Sequence, residues 1–160
     1  MKKIIISILI GIILGSLIFG FIGWKAMPKM MLTISKSNFD FEETYDKIEN
    51  SILDHNWDIQ RVYDIEECME TYGHDSIKNI FIFSICKPDN VAEILQDDAD
   101  KKVTAIMPCR IAIYEDSKGD VYVSRLNISL MSKMFGGVIE DVMQEVAKDE
   151  AKILSGIIEE

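Results

Sequence analysis

The sequence predicts an α+β domain, helices packed on a mainly antiparallel sheet, preceded by one transmembrane helix. Three observations carry this. Residues 4–24 are 21 consecutive positions without an ionisable side chain. Strand-like and helix-like apolar periods then alternate in the order β-α-β-(α)-β-α-β-β-α. Asp116–Asp120 is a tight turn between two strand patterns, so the sheet closes on an antiparallel hairpin.

The N-terminal run matches the hydrocarbon thickness of a bilayer, since about 20 helical residues at ~1.5 Å each span ~30 Å. It exceeds the usual length of a signal-peptide core, and Gly23–Pro28 offers no small-x-small cleavage pattern, so an uncleaved anchor is expected. Residues 1–29 are read as anchor and short linker, and 30–160 as the domain. Lys2 and Lys3 stand against Lys25, Lys29 and Lys36, a near tie for orientation that places the domain outside only on the shortness of its N-terminal flank. Gly11 and Gly15 form one GxxxG, which allows a homodimer through close helix packing.

The chain holds 17 Lys and Arg and 27 Asp and Glu. Lys2, Lys3, Lys25 and Lys29 precede Met30, which leaves 13 cations against all 27 acids and a domain charge near −14. Such a domain disfavours nucleic acid as a partner. About 130 residues suffice for one domain with a core. Three Cys without CxxC encode neither a disulfide framework nor a zinc ribbon.

Along the domain, Met30–Ser35 reads as a first strand. Asp40 with Glu43 caps a helix whose stripe is Phe41, Tyr45, Ile48 and Ile52. Trp57, Ile59 and Tyr63 occupy alternate positions of a second strand. Ile65, Cys68, Met69 and Tyr72 have helical spacing, with Cys68 toward the core. Ile80–Cys86 is continuously apolar, as a central strand covered on both faces would be, and is placed beneath the C-terminal helix. Pro88 stops it, and Asn90 and Glu93 open a short helix. Val103–Met107 and Cys109–Glu115 are strand-like around Pro108. Val121, Val123 and Arg125 alternate on the return strand. A long amphipathic helix is expected from Ser129 to about Ile158, with Phe135, Ile139, Val142, Val146, Ile153 and Ile157 inward.

Two spots stand out chemically, Ile85-Cys86-Lys87-Pro88 and Met107-Pro108-Cys109-Arg110. If their strands are neighbours, Cys86 and Cys109 come within disulfide or metal reach, with Lys87 or Arg110 lowering a thiol pKa; zinc or copper(I) are the fitting ions. The alternative is two small buried apolar side chains. Gly136 and Gly137 cost about 2 kcal/mol relative to Ala inside a helix, so a strand approaching closely, a helix start that binds an anion, or a kink is expected there. Met27, Met30, Met31, Met107, Met131, Met134 and Met143 supply an adaptable apolar lining. His55 and His74 lack ligand spacing, and Asp97–Asp100 lacks the glycine and terminal Glu of a calcium loop. No catalytic triad, phosphate loop or HExxH occurs.

Phe39–Thr44, Phe83–Pro88, Met107–Glu115 and Met131–Val138 together resemble the domain of unknown function 302 family, from about Met30 to the C-terminus. The resemblance implies a compact α+β domain similar to the TATA-binding-protein arrangement, and no assigned reaction or catalytic residue. This chain looks like a branch with Cys at both 86 and 109, where many relatives have Asn and an apolar residue. Three readings stay open: a membrane-tethered, non-enzymatic module for a ligand or partner; a site in which Cys86 and Cys109 bind a soft metal or cycle as a dithiol; and an enzyme with an unrecognised site.

Overall fold

The computed structural model describes residues 2–159, with side chains from Gly11 onward. Helix α1 (Lys2–Met31) runs through Pro28 directly into strand β1 (Leu32–Lys36). The expected linker is absent, and Met30 and Met31 belong to the helix rather than to the first strand. Within α1, Gly11–Met31 is long and apolar enough to cross a membrane, with mean hydropathy 1.4 and none of it buried, a property shared with signal sequences. The first part of the expected 4–24 span lies outside the residues whose side chains are described.

Helix α2 (Phe41–Asp54) begins where the sequence puts it: the Asp40 carboxylate accepts from the Glu43 N–H at 2.9 Å, satisfying one of the free donors of the first turn. Its stripe buries Phe41, Ile48 and Ile52. Strand β2 (Asp58–Asp64) and helix α3 (Ile65–Thr71) follow. Two expectations fail here. A bulge at Gln60 shifts the pairing between Ile59 and Arg61, so Val62, opposite Phe83, turns to the core and Tyr63 turns out. Helix α3 buries no residue and Cys68 is exposed; the helix is tied to the start of β3 by its surface, the Glu66 carboxylate accepting from the Asn79 N–H at 2.9 Å.

Strand β3 (Ile80–Cys86), helix α4 (Pro88–Ile94), strand β4 (Cys109–Glu115) and strand β5 (Val121–Leu126) complete the sheet. All neighbours are antiparallel, in the order β1-β5-β4-β3-β2. Pro88 sits in the first turn of α4, where its missing N–H has no partner to lose, and Asn90 lies inside that helix instead of opening it. The expected strand over Val103–Met107 is a 3₁₀ segment, Lys101–Ile106, that buries Val103. Gly119 (φ +85°) closes the β4–β5 hairpin, and the Asp116 carboxylate accepts from the Lys118 and Asp120 N–H groups.

Helices cover one face of the sheet, against Phe83, Ile85, Ile111, Ile113, Val121 and Val123. The other face carries Ile34, Tyr63, Ile82, Tyr114 and Tyr122, none of them buried, so β3 is interior in the ladder but not covered on both sides. Phe81 and Phe83 lie beneath α2, not the C-terminal helix: the Tyr45 ring is 5.0 Å from each.

The long C-terminal helix is two helices, α5 (Ile128–Ser132) and α6 (Gly137–Ile153). Gly136 (φ +72°) and Gly137 (φ +59°) both adopt the left-handed region, which breaks the helix and begins α6. Nothing lies within 4 Å of where their Cβ atoms would be, so backbone conformation rather than a closely packed strand calls for glycine. Phe135 consequently falls in the break and is 37 % exposed.

Candidate functional site

Helix α4, the 3₁₀ segment, the ends of β3 and β4, and helices α5 and α6 surround a cavity of about 70 Å³. Its wall is built by the periods already described. Ile85 and Cys109 are directly paired on β3 and β4; Val142 and Val146, one turn apart on α6, face them; Ile94, Val103, Met107, Met131 and Met143 fill the flanks. Of the seven methionines expected to line a site, Met107, Met131 and Met143 do so, whereas Met27, Met30, Met31 and Met134 are exposed. The lining is almost wholly apolar. One polar feature interrupts it: Asn90 borders the cavity, and its Nδ2 is buried without a hydrogen-bond partner. An unmade bond at a buried amide costs about 1–3 kcal/mol.

The sequence-expected thiol site maps to one end of this cavity. Cys86 and Cys109 are on adjacent strands and close in register, since Ile85 pairs with Cys109. Strand alternation turns them to opposite faces: Cys109 shares the helix side with Ile85, and Cys86 shares the outer side with its cross-strand partner Asp58. Both are free thiols. Neither is activated by the expected cations. Burial pushes Cys109 up to about 12, assisted by Glu150 and Cys86, and burial with the Asp58 charge raises Cys86. Arg110, next to Cys109, alternates to the outer face and is exposed. Lys87 is held elsewhere: its Nζ donates to Asp149 at 2.6 Å and stands 5.9 Å from the Trp57 ring centre. Burial opposes ionisation of Asp149, but hydrogen bonds from Lys87 and Lys152 outweigh it and hold the carboxyl at about 2. Among the described residues no group of three or more metal-ligating side chains occurs. Gly136 and Gly137 are not part of the cavity wall.

These environments order the thiols. At pH 8, alkylation of the native protein is expected to modify exposed Cys68 first, Cys86 more slowly, and Cys109 last, because the thiolate is the reacting form. Peptide mapping over time checks it; Cys109 reacting as fast as Cys68 would contradict the buried thiol.

Beside Cys109 lies a buried ion pair that sequence reading missed. Arg125 Nε is 3.0 Å from Glu150 Oε2, with side chains 15 % and 8 % exposed, and Arg125 Nη1 is buried without a partner. Burial raises Glu150 to about 7, against the pull of Arg125. The signal was present as Arg125 alternating with buried Val121 and Val123, and Glu150 one turn beyond Val146.

An α+β domain with one helical layer on a five-stranded antiparallel sheet is the class this architecture defines. The family model Domain of unknown function DUF302 matches residues 33–160, and the chain belongs to that family. A crystal structure of an uncharacterized conserved DUF302 protein from Bacillus stearothermophilus has the same fold, with TM-score 0.68, 17% identity, and coverage of 78% of this chain and 96% of that one. No curated protein matches the chain.

Proposed function

We propose that this chain is a membrane-tethered, non-enzymatic module that binds a small, mostly apolar molecule carrying one hydrogen-bond acceptor. The buried, unpartnered Asn90 Nδ2 on the wall of an otherwise apolar cavity carries this reading. Ligand sites are mostly apolar with few polar groups that fix orientation, and an acceptor from the ligand would supply the bond that Asn90 lacks. A volume of about 70 Å³ exceeds what one water needs and suits a body of a few carbons. Burial holds the Cys109 thiol on the wall protonated at neutral pH, which favours binding over nucleophilic catalysis by that group. The uncharged span of α1 sets the location at a bilayer. The acidic domain is expected to leave nucleic acid unbound.

Butanone and butane serve as probes with ¹³C-methyl methionine spectra of the full-length protein in detergent. Butanone is expected to shift the Met107, Met131 and Met143 methyls and leave Met69 unmoved. Asn90→Leu should weaken butanone about fivefold, equivalent to ~1 kcal/mol for one hydrogen bond, and leave butane unaffected. Uniform or absent methyl shifts with both probes would overturn the binding reading.

A further inference from the structure

Residues 126–139 contain a single charged side chain, Lys133, in a chain with 27 acids. Ile128, Met131 and Ile139 in this stretch are buried, but Met134 is 80 % exposed, Val138 43 % and Phe135 37 %. The two left-handed glycines produce this by ending α5 and starting α6 with the intervening apolar side chains outward. Contiguous exposed apolar groups at a turn call for a partner surface.

The position of the turn identifies that surface. Helix α5 packs against the end of α1. Asn127 ties the two together: its N–H donates to Met31 O at 2.8 Å and its Nδ2 to Met30 O at 3.0 Å, while its side-chain oxygen caps α5 by accepting from Leu130 N–H. Five helical residues advance only about 7.5 Å, so the turn starts near the Met30–Met31 end of α1. Exposed Trp24, Met27 and Met30 occupy that end of α1, with Lys25 and Lys29 among them. Aromatic and thioether groups beside Lys side chains, free of acids, match the composition of a membrane interface.

We infer that the Met134–Val138 turn inserts into the interfacial zone of the same bilayer that α1 crosses, so that the domain rests on the membrane at two points. This rests on the membrane-tethered reading above. Insertion fixes the tilt of the domain and brings the α5–α6 side of the cavity toward the lipid.

The test uses full-length protein in nanodiscs of mixed zwitterionic and anionic lipids with brominated acyl chains. In a Trp24→Phe background, whose remaining Trp57 is buried and common to every variant and is subtracted as the parent signal, Met134→Trp and, separately, Phe135→Trp report on the turn. Tyr72→Trp is the control, at the C-terminal cap of α3, the helix that follows β2, the edge strand opposite β1. Fluorescence at 134 and 135 is expected to be quenched roughly twofold or more beyond the control. Quenching equal to the control overturns insertion. If emission at 134 shifts to the blue without bromine quenching, a protein contact covers the turn and the inference also fails. Carbonate washing of native membranes separates the two readings: a released full-length chain removes the anchor and the insertion together, whereas a retained chain with an unquenched turn removes insertion alone.

Discussion

Arg125→Met is expected to destabilise the domain by about 3–5 kcal/mol at pH 8, as loss of one partner from a buried pair leaves the other charge uncompensated. The orphan would be Glu150, whose side chain is 8 % exposed on α6. The loss should depend on pH. Burial already raises the folded-state Glu150 to about 7, above its ordinary 4.5. A raised carboxyl binds its proton more tightly in the folded protein, so its contribution to stability is full below about pH 4.5 and falls as pH climbs toward 7. Removing Arg125 takes away the one cation favouring the ionised form and pushes this carboxyl higher still. The variant therefore loses less at pH 5, where Glu150 is protonated, than at pH 8. Glu150→Leu added to Arg125→Met should recover most of the loss, because two apolar side chains replace the pair. Urea unfolding at both pH values measures it, and a pH-independent loss would show that Glu150 does not carry the penalty.

Phe83→Ala should cost a further class of interaction, packing alone, and about 3–5 kcal/mol. Phe83 is fully buried, paired with Ile111 on one side and Val62 on the other, and its ring lies 5.0 Å from that of Tyr45. No polar group is uncovered, so this loss should be the same at pH 5 and pH 8. A measured loss below about 1 kcal/mol would mean that β3 does not hold α2 on the sheet.

The contrast between these two residues shows what the sequence made readable. Phe83 sits in a run whose apolar character is local and continuous, and α2 announces itself by a cap and a stripe within fifteen residues. The β4–β5 hairpin is equally local, fixed by Gly119. Arg125 and Glu150 are each unremarkable in their own segments, and only the packing of α6 over β5 brings them together. Short patterns also mislead. Val103–Met107 is apolar and strand-like in isolation, and a run of five residues cannot separate a strand from a helical turn. Tyr63 followed the alternation until one bulge at Gln60 reversed it. That the strands of Cys86 and Cys109 are neighbours is a condition the sequence leaves open, and the pleat, which decides which face each thiol takes, requires the register. Asn90 gave no sequence signal beyond a helix-opening residue. Its significance arises from the missing partner at Nδ2 and the apolar wall around it.

Native mass spectrometry of the full-length protein, extracted in detergent and kept anaerobic, tests the binding reading most directly. The expected spectrum contains a small organic molecule, or takes one up when butanone is supplied, and loses it in Val142→Phe, where the larger side chain fills the cavity. A soft metal ion or a Cys86–Cys109 disulfide in place of that adduct, or a protein that binds neither butanone nor any co-purified molecule, would contradict it.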